Sequence, residues 1–97
     1  MKAIFIAYNQ AYNQEIVELL ETLGQRGYTV WNGVGGRGTE NGEPHLGSHA
    51  WPTQNHALLS VVDSALAPKL MDALRRLDAD NRDLGLRAYV LPVEEAL

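Results

Sequence analysis

The sequence predicts an α+β domain of the ferredoxin-like kind: a four-stranded antiparallel sheet carrying two helices on one face, with a long loop between strands two and three. Three observations lead there. Segments with strand-like and helix-like apolar spacing alternate in the order β-α-β-β-α-β. Only 97 residues are available, which is one core's worth, so residues 1–97 are expected to form a single domain. A chain of that order and size folds most simply as a split βαβ pair.

The elements follow from the residues in turn. Lys2 to Tyr8 is β-branched and aromatic in part and is closed by the polar Asn9-Gln10, which marks a strand. Its apolar start resembles a signal peptide, but the run stops at Tyr8-Asn9-Gln10 with no small-residue cleavage site, so the strand reading holds. From about Gln10 to Leu23 the period becomes helical. Ile16, Leu19, Leu20 and Leu23 share one face and Glu15, Glu18 and Glu21 take the other. Gly24 and Gly27 supply the stop. Tyr28 to about Val34 is a second strand, and Asn55 to Val62 a third. Ala65 to about Ala79 forms the second helix, with Leu66, Leu70, Ala73, Leu74 and Leu77 inward, Asp63 or Ser64 placed to cap it, and Pro68 tolerated in the first turn. A turn over Asp80 to Gly85 leads to a fourth strand, Leu86 to Leu91, ended by Pro92.

Residues 35 to 53 stand apart. They hold five glycines and two prolines with no apolar period. Loops this long inside a small domain are usually functional. The strands also carry a message. Ile4, Ile6 and Tyr8 lie on one face of the first strand and Ala3, Phe5 and Ala7 on the other, while Leu58-Leu59 and Val61-Val62 put apolar groups on both faces of the third. Two helices on one side leave the other side uncovered, so a homo-oligomer is expected.

Composition narrows the function classes. Eight Lys/Arg against twelve Asp/Glu give a net charge of −4, without the positive field that nucleic-acid or acidic-membrane binding requires. No apolar run approaches a membrane span. With no cysteine there is neither disulfide nor thiolate metal site, which suits a cytoplasmic setting.

Gly33-Val34-Gly35-Gly36-Arg37-Gly38 satisfies G-x-G-x-x-G, but Thr39 to Pro44 cannot open the helix that a dinucleotide fold places next, so that reading is rejected. What the segment retains is small residues that let backbone amides face an anion, with Arg37 as a bidentate clamp, or else a glycine hinge. His45, His49 and His56 fall within twelve residues, behind Glu40 and Glu43. Imidazole and carboxylate suit a divalent metal, though Pro44 and Gly47 oppose the helix that would align His45 with His49. Solvent-exposed loop histidines are the competing account. Ser48-His49 lacks a carboxylate to orient the imidazole, so no catalytic residues are assigned and the chain is not expected to be an enzyme. Trp51-Pro52 reads as an anchor for the far end of the loop.

Ala7-Tyr8-Asn9-Gln10-Ala11-Tyr12, Arg37-Gly38, Gly42-Glu43-Pro44-His45-Leu46-Gly47, His49-Ala50-Trp51-Pro52 and Gly85-Leu86-Arg87-Ala88 complete the picture. With the β-α-β-β-α-β order and the long loop opening on Gly35 to Gly38, they resemble the PII signal-transduction superfamily, most closely its PII-like branch. The resemblance implies a homotrimer with inward-facing sheets. It implies that 35–53 is the T-loop, beside an inter-subunit cleft, where it meets a small-molecule effector and is presented to a regulated protein partner. The ligand residues it points to are Gly35, Gly36, Arg37, Gly38, Gly85 and Arg87. There are departures. Residues 35 to 53 contain no Tyr, so uridylylation of the loop is not available. Gly38 stands where the nucleotide site carries Gln, and the second nucleotide loop, Gly-x-Lys in the family, survives as Gly85-Leu86-Arg87. The function expected is therefore a PII-like regulatory protein, with an adenine nucleotide as the ligand class that the resemblance implies. The alternative is a divalent-metal-binding accessory protein using His45, His49 and His56.

Overall fold

The computed structural model describes residues 1–36, 54–81 and 85–97. Strand β1 (Lys2–Asn9) leads through a 3-10 turn (Gln10–Tyr12) into helix α1 (Asn13–Thr22) and strand β2 (Thr29–Val34). Strand β3 (Asn55–Val62), helix α2 (Leu66–Asp80) and strand β4 (Arg87–Pro92) follow. The sheet order is β2-β3-β1-β4, antiparallel throughout. Each helix thus joins two parallel strands with a third inserted between them, the split βαβ twice over that the sequence predicts.

Burial follows the period of the side chains. Ile4, Ile6 and Tyr8 of β1 pack with Leu58 and Val62 of β3, Ile16 and Leu20 of α1, and Ala67, Leu70 and Leu74 of α2 in one cluster. Both helices therefore cover the same face. The predicted stripes hold: Leu19, Leu23, Leu66 and Leu77 flank this cluster. Among the described residues no helix is long and apolar enough to cross a membrane.

Three local features differ from the expectation. The first helix begins three residues late, because Asn9 Oδ1 accepts from the Ala11 amide at 2.9 Å and winds Gln10–Tyr12 into a tighter turn. Neither Asp63 nor Ser64 caps α2 with its side chain. Instead the Asp63 backbone carbonyl accepts from the Leu66 and Ala67 amides, and Ser64 Oγ lies 3.2 Å from the Met1 amine. The fourth strand runs one residue later at each end, and Pro92 closes it as its last paired residue, opposite Lys2. Gly24 stops α1 as expected, at φ +80°.

Two polar groups inside the apolar layer tie elements together. Ser60, buried in the middle of β3, donates to the Gly27 carbonyl at 2.6 Å, which pins the α1–β2 connection to the sheet. Tyr8, fully buried, donates its hydroxyl to Asn13 Oδ1 at 2.5 Å and so joins β1 to the start of α1. Burial, with a smaller contribution from Tyr28, pushes the Tyr8 pKa up from 10.0 to about 12.

Two outcomes follow for stability. Leu20→Ala removes a side chain with no exposed surface and should cost about 2–5 kcal/mol in urea unfolding, since the helix cannot collapse into the space left. For Tyr8, the unfolded chain releases the phenolic proton at about pH 10 while the native state holds it to about pH 12. The native state then binds the extra proton, so stability is unaffected by this group below about pH 10 and falls as pH rises through the interval. Tyr8→Phe should lose about 1 kcal/mol at neutral pH and flatten that alkaline decline in parallel urea titrations.

Candidate functional site

The face of the sheet opposite the helices carries the odd-numbered residues of β1, and pairing aligns them with their neighbours. One row across all four strands reads Trp31, Ala57, Ala7, Arg87, and the row beside it Thr29, Leu59, Phe5, Tyr89. Two alanines in the central strands, between a tryptophan on one edge strand and an arginine on the other, leave a depression. It is an open hollow of about 470 Å³, lined by residues of these rows together with Val34, Gly35, Gly36, Asn55 and Gly85. That size falls within the ordinary range for a small-molecule site.

A β-bulge brings the start of the 35–53 segment to this hollow. Trp31 pairs with Ala57 and Val34 with Asn55, three steps along β2 against two along β3. Simple alternation would put Val34 on the helix side. The extra residue returns it to the Trp31 face. Gly33 makes the bulge possible: it sits at φ +63°, and a Cβ there would lie 3.2 Å from Gln54 Oε1. Gly36 follows so close to β3 that a Cβ would come within 3.1 Å of Asn55 Nδ2. A side chain at Gly36 would therefore press on the Asn55 amide, which would have to shift by a few tenths of an ångström.

Arg87 is the one charged residue among those described around the hollow. Its guanidinium donates to the Leu86 carbonyl at 2.9 Å, which fixes it at the sheet edge and leaves further N–H donors for an anion. Apolar walls with a single cation at one end suit an anionic ligand with an uncharged body.

Four of the six ligand residues expected from the sequence, Gly35, Gly36, Gly85 and Arg87, line this one hollow although they come from opposite edges of the sheet. Arg37 and Gly38 lie outside the described residues, as do His45 and His49. His56 is paired with Tyr8 on the helix-side face, where its ring meets the Tyr8 ring edge-on with centroids 6.0 Å apart and its Nδ1 is buried with no hydrogen-bond partner. It is half-buried and does not line the hollow. Among the described residues no group of three His, Cys, Asp or Glu side chains is placed to hold a metal. The sequence reading passed over Trp31, Ala7, Ala57 and Tyr89. Their signal is a cross-strand row, which is legible only once the register of three strand pairs is known.

Comparison with known proteins places this geometry. The sequence profile described as Nitrogen regulatory protein P-II matches residues 1–97. A PII-like signaling protein of Thermus thermophilus shares 25% identity over 92% of this chain and 82% of its own, at a TM-score of 0.66. The nitrogen regulatory PII-like protein CPII of Thiomonas intermedia, in a structure bound to ADP, AMP and bicarbonate, shares 17% identity over 97% of this chain and 88% of its own, at a TM-score of 0.73. Its apo form superposes at 0.68 with 16% identity, over 95% of this chain and 89% of that one. These two likenesses concern the fold. No curated protein matches the sequence. A match along all 97 residues, on a β-α-β-β-α-β fold, makes this chain a member of the nitrogen regulatory protein P-II family.

Proposed function

We propose that this protein is a homotrimeric PII-like signal transducer, not an enzyme, that senses a small anionic ligand at an inter-subunit cleft and signals to a protein partner through the 35–53 loop. The observation that carries the reading is the convergence of Gly35 and Gly36, Gly85 and Arg87 on a single hollow at the base of that loop. A ligand held by Arg87 and by backbone groups of the loop base biases the loop toward one presentation, and the empty site releases it; the partner reads that difference.

Two features support the trimer. As the described residues form it, the hollow is open, and another copy packed on the sheet would shield a ligand in it from solvent. The same face exposes Trp31, Val61, Tyr89 and Leu91, each with 41–54% of its surface in solvent. Contiguous apolar area of this kind is characteristic of an interface. The ligand class follows from the site, and the ADP, AMP and bicarbonate held by the Thiomonas relative are the first candidates. The alternative, a divalent-metal role, rests on His45 and His49, which lie outside the described residues, and His56 stands on the opposite face of the sheet from the hollow.

Light scattering at micromolar concentration should give three times the 10.7 kDa chain mass. Leu91→Glu should shift the protein toward monomer with its helices intact, because a carboxylate cannot be buried unpaired in an apolar interface. A stable parental monomer would refute the trimer. In thermal-shift titrations at least one of ADP, AMP and bicarbonate should raise Tm, as any ligand that binds only the native state must. Arg87→Ala should weaken that ligand roughly tenfold or more, the loss expected for one charge-assisted hydrogen bond. An unchanged affinity would remove the hollow from the mechanism.

A further inference from the structure

We infer that Asp78 is a positioning residue for the anion site: its carboxylate, on the helix side of the sheet, competes for the Arg87 guanidinium with an anion in the open-face hollow. This rests on the reading of Arg87 as a ligand residue and goes beyond it in naming what the anion must displace.

The first argument is the place of Arg87 in the sheet. The strand order β2-β3-β1-β4 makes β4 an edge strand. Register sets Arg87 on the open face, beside Ala7. Yet Arg87 also lines a second space of about 180 Å³ between α2 and β4, with Met71, Leu74 and Asp78 on the helix wall and Leu86 and Ala88 on the strand wall. In a central strand the neighbouring chains would keep one side chain from reaching both faces. At an edge, a side chain with a long stem passes around the strand. Its guanidinium donates to the Leu86 carbonyl at 2.9 Å. That is a neutral acceptor taking one N–H, so the rest of the fork is open to a carboxylate on one side of the sheet or an anion on the other.

The second argument is the place of Asp78. It stands in the last turn of α2, where the helix dipole is negative and a carboxylate is unfavourable, and that turn holds no basic residue to offset it. Asp80, in the same turn, is exposed to water, whereas Asp78 is half-buried and lines the space shared with β4. Two arginines line that space. Arg75 is paired with Asp72 at 2.7 Å, the one ion pair among the described residues. Arg87 is left as the cation that can neutralise Asp78. A charge-assisted pair there satisfies both groups when the open-face hollow is empty, and an anion entering the hollow has to break it.

ADP, AMP and bicarbonate are titrated by calorimetry into the full chain, and the one that binds most tightly is carried through the variants. Asp78→Asn keeps the shape and removes the competing charge, so it should tighten that ligand about two- to fivefold, the worth of a partly exposed ion pair. Asp78→Glu, which keeps the charge, should stay near the parental affinity. Asp80→Asn removes a charge from the same helix end but lies outside the shared space, and should change nothing. In the Arg87→Ala background Asp78→Asn should have no effect, because both changes act through one pair. A second measurement needs no ligand: the Arg87 side-chain Nε–H resonance, assigned by its loss in Arg87→Ala, should shift in Asp78→Asn and hold its place in Asp80→Asn. An equal gain from Asp78→Asn and Asp80→Asn would overturn the inference, by making the effect one of overall charge. Parental affinity in Asp78→Asn, or a gain that survives Arg87→Ala, would overturn it too. If the ligand is lost in Arg87→Ala while the Arg87 resonance ignores Asp78→Asn, the competition fails and the anion site stands. If none of the three binds, or binding is indifferent to Arg87→Ala, the anion site and the competition fall together.

Discussion

The burial of Ile4, Ile6 and Tyr8 beneath the two helices is the interaction on which the rest depends. It commits the even-numbered residues of the central strand to the core and so commits the odd-numbered ones to the opposite face. Both neighbours of β1 inherit that choice through pairing, β3 directly and β4 directly, with β2 following through β3. A slip of one residue in either pair would turn a whole strand over and carry its core set into solvent. The register is accordingly held by apolar burial on one side, and the row of Trp31, Ala57, Ala7 and Arg87 on the other side is its consequence. The polar ties at Tyr8–Asn13 and Ser60–Gly27 act on the same layer. They add direction to a cluster that hydrophobic burial alone would leave free to slide.

Under the proposed function the open face serves two purposes that pull on the same residues. Its apolar side chains suit burial against other copies of the chain, while its alanine floor keeps a space that such burial would otherwise fill. Alanine satisfies both demands, since it contributes apolar surface and occupies little volume. The larger apolar groups stand mainly on the outer strands and at the far end of the sheet, at Trp31, Tyr89, Val61 and Leu91. Trp31 and Tyr89 line the space, and Val61 and Leu91 lie outside its lining.

At the rim of the hollow the backbone departs from regular alternation at one place, and the departure is local and specific. Gly33 in the left-handed region adds one residue to β2, and Gly36 then passes close against the Asn55 side chain. Together they aim the start of the 35–53 segment at the site. The sheet sets where the 35–53 segment begins.

Much of the architecture was legible in the residues because it rests on short-range period. The i, i+3, i+4 spacing of Ile16, Leu19, Leu20 and Leu23 and the alternation of Ile4, Ile6 and Tyr8 each report a local geometry, and each element lies where that pattern puts it to within a few residues. Gly35, Gly36, Gly85 and Arg87 were named as ligand residues through family resemblance, and the structure brings them to the lining of one hollow. The misses have a common cause. The 3-10 entry to α1 turns on a side-chain acceptor at Asn9, and the start of α2 on a backbone carbonyl at Asp63, where competing hydrogen bonds of similar strength leave the residue types ambiguous. His56 reads as the start of the third strand, and which face it takes follows only from its pairing with Tyr8, which puts it on the helix side. The sequence by itself determined the order of elements and which face of each is apolar, because period is a property of neighbouring residues. Only the tertiary structure decided that Trp31 and Arg87 share a row with Ala57 and Ala7, since register between strands is set by the burial of the whole layer at once.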